Sequence, residues 1–293
     1  MNTLFKRFVN SFPVKVIRKM FGRYFTDHVG QSAAELAYYL MFSLFPLLIF
    51  LNAALSTLNF SPEALLEKLN IVLPQEIIDL FTEYMQYVGN LKSDVLLYAG
   101  LVLTVFMLFR AVNSLTGSVM AVYRMQHRGA LHYLGVLAFC LLLMVGVFVF
   151  LFVMIFSGNL LRNLEKYLYI PPLFLQLWDL LRLFLVPLCM LLMLWVFYYM
   201  VGRGQYRLRE SLPGAVFALS FWIAVTLGFS VYVANMGGYS LLYGSLSTIM
   251  VLMLWLWLTG AVLVMGGIFN HVLVTERNVR QETKLYAEKK NLE

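Results

Sequence analysis

The chain alternates between six long apolar stretches and shorter polar segments. The apolar stretches are Leu36–Leu58, Val95–Leu115, Leu131–Ser157, Leu180–Val201, Pro213–Asn235 and Leu246–Asn270. Each reaches the roughly 20 residues that a helix needs to cross a hydrocarbon core about 30 Å thick. Core helices of soluble proteins rarely stay apolar on every face over such a length. The pattern therefore predicts an all-α, polytopic membrane protein with six transmembrane helices.

The polar segments divide the chain into three parts. These are a cytoplasmic or interfacial segment at residues 1–30, the six-helix transmembrane domain at residues 31–272, and a charged cytoplasmic tail at residues 273–293. In the N-terminal segment Val16, Met20 and Tyr24 recur at every fourth position beside basic residues. A basic amphipathic helix of this kind lies on an anionic leaflet, although a plain topology anchor would carry the same charges.

The longest polar segment, about residues 59–94, is predicted to be an outer helical loop. Ser61 before Pro62 is a typical helix start, because serine caps free N–H groups and proline fits the first helical position. A second helix is predicted after Pro74, and Gly89 would end it. Its apolar face comprises Ile77, Ile78, Phe81, Tyr84, Met85 and Val88. The two helices would cover the outer end of the bundle, either as a lid over a cavity or as a packed structural cap.

Composition indicates the class of protein, and the charge distribution indicates its orientation in the membrane. A chain that is 61% hydrophobic and 13% charged is not an ordinary soluble domain. Most of its 22 Lys and Arg residues lie in segments on one side of the membrane. The exceptions are Lys68, Lys92, Arg162, Lys166 and Arg182. Because Lys and Arg accumulate on the cytoplasmic side, both termini are predicted to be cytoplasmic. The net charge of +7 follows from this bias, so nucleic acid is not a predicted partner.

Two charged residues, Glu35 and Arg110, lie closest to the hydrocarbon core. Both are predicted in the inner third of the bilayer, and pairing would lower the cost of burying either charge, roughly 2.5–3.5 kcal/mol at the midplane. The hypothesis is that they pair and line a cytoplasm-facing cavity, with Tyr38 and Asn113 as further lining residues. The alternative is that Glu35 lies at the interface and that Arg110 snorkels to the headgroups.

Two places could give the helices a hinge or a break. Pro46 lies within the first apolar stretch, where it removes a backbone hydrogen bond, and the Ser43 hydroxyl could satisfy the freed carbonyl. The turn between the last two stretches contains the candidate hinge residues Gly237, Gly238, Tyr243 and Gly244. Non-helical backbone at membrane depth persists only where it is buried in protein or lines a cavity. A static kink at Pro46 that suits packing is an equal alternative.

Catalytic and metal-binding motifs are absent from the sequence. It contains no HExxH, CxxC, P-loop or GxSxG motif, and its four histidines are widely spaced. Cys140 and Cys189 lie inside apolar stretches and are interpreted as buried small hydrophobic residues. No catalytic residue, metal site or cofactor is therefore predicted, and the protein is not expected to be an enzyme.

Three stretches of the sequence are distinctive. They are Ser32–Pro46, Leu212-Pro-Gly-Ala215, and Tyr243-Gly-Ser continuing to Leu254-Trp-Leu-Trp257 and Gly266-Gly267. Together they resemble the YihY/BrkB family, formerly labelled ribonuclease BN-like. The resemblance implies a six-helix protein of the bacterial cytoplasmic (inner) membrane with cytoplasmic ends. It also implies a link to cell-envelope integrity and, in some members, to export of lipids or lipopolysaccharide precursors. The ribonuclease label looks like a misattribution, because the sequence lacks the metal site such an enzyme needs.

The chain departs from the family pattern at two positions. Many members carry Asn shortly before the aromatic residue that ends the second span, where this chain has Met120 before Tyr123. Many carry Gly-Ala-Glu late in the sixth span, where this chain has Gly266, Gly267 and Ile268. The missing carboxylate weakens any proton-coupling mechanism that would depend on it.

These features predict a transporter-like membrane protein of the cell envelope that handles a lipid or an anionic amphipathic substrate. A basic rim beside Arg110 suits an anionic headgroup, and apolar helices suit its tails. Membrane lipids, above all anionic ones, are the predicted partners. A homo-oligomer is a further candidate, because small residues such as Ala33, Ala34, Gly260 and Gly267 suit helix packing or contacts between copies. The alternatives are a small-solute or ion transporter, a structural or scaffolding envelope protein, and a membrane-associated ribonuclease.

Overall fold

The computed structural model of the protein describes residues 12–57, 75–89, 94–125, 129–165, 172–203, 205–235 and 245–290. These residues form helices and contain no strand. The helices are α1 (Phe12–Thr26), α2 (Val29–Thr57), α3 (Gln75–Gly89), α4 (Asp94–Val122), α5 (Ala130–Glu165), α6 (Pro172–Val201), α7 (Leu208–Ala234) and α8 (Ser245–Lys290). Helices α2, α4, α5, α6, α7 and α8 are each long and apolar enough to cross a membrane. The predicted all-α fold with six transmembrane helices is therefore confirmed.

The six long helices form a closed circuit of neighbours. Helix α2 packs against α4, α4 against α5, α5 against α6, α6 against α7, and α7 against α8, which returns to α2. Glycines bring α8 close to its neighbours: a Cβ atom added at Gly260 would lie 3.1 Å from the Ala33 Cα, and one at Gly267 would lie 3.0 Å from Val119. The small residues Ala33, Gly260 and Gly267, which could have served contacts between copies, are therefore used here inside one bundle.

Helix α1 lies against the bundle and corrects one prediction. Val16 and Met20, expected to face the membrane, are 4% and 6% exposed and pack against protein. Lys19 forms an ion pair with Glu276 of α8, and Arg23 Nη1 donates a 3.1 Å hydrogen bond to the Val122 carbonyl at the end of α4. The reason is that α8 continues as a helix beyond the apolar stretch and offers α1 a protein surface. A different stripe of α1 is exposed, comprising Ile17, Phe21 and Phe25.

Helix α3 matches the second predicted helix of the outer loop in its bounds and in its buried face. Ile77, Ile78, Phe81 and Met85 are buried, and α3 packs against α2 and α8. This packing fits the structural cap better than a free lid. The predicted helix at Ser61 and Pro62 lies outside the described residues.

All six long helices extend beyond their apolar stretches at one end or both, and α8 extends furthest. Helix α6 begins at Pro172 rather than Leu180, and α8 runs 46 residues to Lys290. Most of the predicted tail at residues 273–293 is thus a continuation of α8. Hydrophobicity identifies the part of a helix that lies in the membrane. Beyond it, Glu, Arg, Gln and Lys continue the helix in water, because they have high helix propensity.

The charges collect at one end of the bundle, which we call the basic end. It carries Arg23, Arg124, Arg203, Arg207 and Arg277. Contacts among α1, the end of α4, the α6–α7 turn and α8 bring these segments together. The basic end is the end that the distribution of Lys and Arg predicts to face the cytoplasm.

Candidate functional site

Arg110 is held by an aromatic neighbour. Its Nη2 donates a 2.9 Å hydrogen bond to the Tyr39 hydroxyl, and its Cζ lies 5.2 Å from the centroid of the Tyr39 ring, within cation–π distance. The ion pairs among the described residues are Lys19–Glu276 and Arg23–Asp27. The predicted Glu35–Arg110 ion pair is therefore not formed. The Arg110 guanidinium instead contacts Tyr39, which lies one helical turn beyond Glu35.

The other two predicted lining residues make contacts of their own. Tyr38 is 52% exposed, and its ring lies 4.7 Å from that of Phe42. Asn113 is half-buried, and its Oδ1 lies 3.4 Å from Nε2 of His132, at the contact between α4 and α5. The structure thus joins Arg110 to Tyr39 and exposes Glu35 and Tyr38 on one face of α2, but it does not bring the four predicted residues together around a cavity.

Helix α2 passes through Pro46 without a break. The Ser43 hydroxyl donates a 2.7 Å hydrogen bond to the Leu40 carbonyl, not to the Phe42 carbonyl that loses its partner at Pro46. A Cβ atom added at Gly100 of α4 would lie 3.2 Å from the Pro46 carbonyl oxygen, so the two backbones are in close contact there. Pro46 therefore sits at a tightly packed point. The other candidate hinge residues, Gly237, Gly238, Tyr243 and Gly244, lie outside the described residues.

A partly open apolar cavity of about 420 Å³ lies between α2, α5, α6, α7 and α8, within their membrane-spanning lengths. The lining residues are Leu40, Leu143, Gly146, Val147, Val186, Cys189, Met190, Met193, Leu194, Leu219, Trp222, Trp255, Leu256, Thr259 and Leu263. None of the four predicted lining residues is among them. The size falls within the range of roughly 300–1,000 Å³ that is typical of small-molecule sites.

The polar groups on the cavity wall are few and already engaged or covered. Trp222 Nε1 donates a 3.2 Å hydrogen bond to the Thr259 hydroxyl. The indole nitrogen of Trp255 has no hydrogen-bond partner among the described residues, but it is itself buried. A water molecule needs two to four polar partners to be held in a cavity. The chemistry of the wall therefore favours an apolar occupant over water or a polar solute.

The cavity is partly open to the surroundings of the bundle. In a bilayer the abundant apolar material beside such an opening is the acyl chain of a lipid.

A closely packed layer lies between the cavity and the basic end. Its residues, which we call the floor, are Tyr198, Ser211, Gly214, Gly266 and Asn270, all buried. The Tyr198 hydroxyl donates a 2.6 Å hydrogen bond to the carbonyl of Leu263, a residue of the cavity wall. The Asn270 side chain accepts from the Gly214 N–H at 2.6 Å and donates to the Ser211 carbonyl at 3.1 Å, which ties α8 to α7 beside Pro213.

A second polar layer lies beyond the floor at the basic end. Tyr206 Oη and His271 Nδ1 share a 2.6 Å hydrogen bond, and the Tyr123 ring packs 4.5 Å from that of Tyr206. Burial raises the pKa of Tyr206 to about 12, against a smaller opposing effect of the nearby Arg23 charge. The phenol therefore stays protonated at neutral pH, and this layer keeps its hydrogen bond.

Sequence reasoning missed the residues that form the cavity. Cys189 was interpreted only as a buried small hydrophobic residue, because apolar side chains that line a cavity look the same in a sequence as those that face lipid. A weak signal was available in the small or flexible side chains Gly146, Cys189, Met190 and Met193, which leave or adapt to space. Only the arrangement of five helices shows where that space lies.

Comparison with known families finds a model described as virulence factor BrkB, which matches residues 20–291. Ribonuclease-like protein YfkH of Bacillus subtilis (strain 168) is 30% identical over 269 residues, which are 91% of this chain and 98% of that relative. UPF0761 membrane proteins from Xanthomonas oryzae pv. oryzae and Xanthomonas campestris pv. campestris are 25% and 24% identical over 265 residues. That alignment covers 85% of this chain but 58% of either Xanthomonas protein, so the chain spans little more than half their length. No solved structure matches the chain.

Proposed function

Because the chain belongs to the virulence factor BrkB family of multi-pass bacterial membrane proteins, we propose that it is a transporter-like protein of the cell envelope whose substrate is a lipid or another anionic amphipathic molecule. The observation that carries the proposal is the apolar cavity of about 420 Å³ between α2, α5, α6, α7 and α8. Its wall accepts an acyl chain and offers little to a solute that must keep its hydration. The basic end supplies the charge that would attract an anionic headgroup from the leaflet beside it.

The two membrane-protein alternatives have less support. A small-solute or ion transporter needs a polar path, and the wall of this cavity is apolar. A purely structural protein needs no internal cavity, and Gly260 and Gly267, which could have marked contacts between copies, pack within the bundle. We further propose that the chain is not an enzyme and that the name of the Bacillus relative does not extend a nuclease activity to it.

The first test asks whether the cavity holds lipid. Cys189→Trp would fill the cavity from α6, whereas Leu188→Trp places the same side chain at the neighbouring position, which is 51% exposed. Both variants would be purified from bacterial membranes in mild detergent and compared with wild type by native mass spectrometry. We expect lipid to be retained by wild type and Leu188→Trp and to fall several-fold in Cys189→Trp. Equal lipid content in all three proteins would remove the basis of the proposal.

The second test asks whether the protein moves lipid. Proteoliposomes containing fluorescent phospholipid would be treated with a membrane-impermeant quencher, which reports the lipid that reaches the outer leaflet. We expect faster exchange with wild type and Leu188→Trp than with empty vesicles, and a slower rate with Cys189→Trp. Binding without any exchange, under conditions with and without an ion gradient, would limit the function to lipid binding.

A further inference from the structure

Glu35 and Arg110 share one outward-facing surface. In the described membrane-spanning stretches of α2, α4, α5 and α6, they are the two residues that carry a formal charge, counting Asp, Glu, Lys and Arg. Both side chains are exposed on the outside of the bundle rather than buried in its interior. Charged residues in membrane spans almost always face the interior of a bundle or a water-filled cavity, and they pair with one another. Within the described part of one chain, Glu35 and Arg110 do not face the bundle interior and do not pair with each other.

The two charges belong to adjoining stripes of exposed side chains. On α2 the stripe runs through Glu35, Tyr38 and Phe42, and on α4 it runs through Val102, Phe106 and Arg110. Residues three or four apart lie on the same face of a helix, so each stripe is continuous. The hydrogen bond between Arg110 and Tyr39 joins the two helices along the seam. We call these six residues the α2–α4 face.

We propose that the α2–α4 face binds the same face of a second copy of the chain. A two-fold axis along the membrane normal places each face against itself, so that Arg110 of each copy meets Glu35 of the other. The two residues lie at compatible depths, because Glu35 is one turn, about 5.4 Å, from the tyrosine that already holds Arg110. This interface is independent of the cavity and goes beyond the proposed lipid-handling function.

Charge complementarity within one face is the reason to choose a second copy as the occupant. A lipid headgroup could satisfy Arg110 but would leave Glu35 facing hydrocarbon beside an anion. A two-fold symmetric dimer forms two Glu35–Arg110 ion pairs, so that each of the four charges has a partner. Tyr38, Phe42 and Phe106 supply the aromatic contact area that protein interfaces favour. The Tyr39 hydroxyl keeps the Arg110 guanidinium at the surface, where the other copy can reach it.

Cross-linking in native membranes tests the location of the interface. In a background with Cys140→Ala and Cys189→Ala, a single cysteine replaces Phe106 on the α2–α4 face or Val145 on α5. Both native side chains are exposed, 55% and 58% respectively, so the two sites are matched in accessibility. A bifunctional maleimide is expected to give a cross-linked dimer from Phe106→Cys and little from Val145→Cys. Equal cross-linking at both sites, or none at Phe106→Cys, would overturn the proposal.

Charge reversal tests the pairing itself. Glu35→Arg would place like charges opposite each other, and it is expected to raise the dimer dissociation constant in nanodiscs or detergent about tenfold or more. Combining Glu35→Arg with Arg110→Glu restores opposite charges and should recover the dimer. Melting of the monomeric fraction serves as the folding control. The proposal fails if the wild type is monomeric, if the swapped double variant stays monomeric, or if Arg110 instead retains an anionic lipid in a monomer.

Discussion

At the scale of single residues, the buried amide of Asn270 explains why two sequence motifs meet. Pro213 cannot donate a backbone hydrogen bond near the start of α7, and the side chain of Asn270 serves the neighbouring Gly214 N–H and Ser211 carbonyl. Gly214 and Gly266 leave room for this contact, because a Cβ atom at either position would collide with the facing helix. The glycines quoted as family motifs are thus packing residues of the floor below the cavity.

Asn270→Ala is expected to destabilise the protein by about 1–3 kcal/mol, since it leaves a buried N–H without its acceptor. The measurement is the melting temperature in detergent at fixed lipid content. Asn113→Ala is the matched control, because Asn113 is only half-buried and its contact with His132 is a long 3.4 Å. Its effect should stay within about 0.5 kcal/mol. Equal destabilisation by both changes would show that the Asn270 contacts have no special weight.

At the scale of elements, α1 has two apolar faces with different surroundings. One face, with Val16 and Met20, packs on the bundle, and the other, with Ile17, Phe21 and Phe25, is exposed. The sequence predicted an amphipathic helix here but assigned the wrong stripe to the membrane. The periodicity identifies a helix and its faces, yet it cannot tell whether a face meets lipid or protein.

Met20→Ala is expected to loosen α1 from the bundle, because Met20 is 6% exposed whereas its neighbour Phe21 is 69% exposed. Truncating a buried methionine costs roughly 2 kcal/mol or more. Amide hydrogen exchange of α1 should therefore become about 30-fold faster in Met20→Ala. Phe21→Ala should leave exchange nearly unchanged. Fast exchange of α1 already in the wild type would contradict a docked helix.

The elements were largely predictable, and their contacts were not. Six apolar stretches became six spans, and the bounds of α3 were read correctly from Pro74 and Gly89, because proline and glycine act locally. The pairing of Glu35 with Arg110 failed because it required the relative rotation of α2 and α4. That rotation is set by close packing such as Gly100 against Pro46, which no local pattern encodes.

At the scale of the whole molecule, the basic end should face the cytoplasm. Single cysteines at Gln281 near the end of α8 and at Glu83 on α3, both exposed positions, test this in the cysteine-free background. An impermeant maleimide added to intact cells or spheroplasts should label Glu83→Cys and spare Gln281→Cys. Inverted vesicles should give the reverse pattern. Labelling of Gln281→Cys from outside the cell would reverse the orientation.

The cavity is likewise a property of the whole molecule, since five helices contribute to its wall. Each helix alone carries a continuous apolar surface, and nothing in its sequence separates the wall positions from those facing lipid. The sequence predicted the class of substrate from general membrane chemistry, whereas only the structure shows the cavity that could hold it.

Helix α8 is unbroken over 46 residues, which makes it a stiff rod about 69 Å long. Its outer part forms the cavity wall, its middle part forms the floor, and its far part is clamped to α1 through Glu276. A rod of this length converts a tilt of about 5° around its centre into a displacement of about 3 Å at either tip. A force applied to the end of α8 near Lys290 would therefore act as on a lever and shift the helices around the cavity.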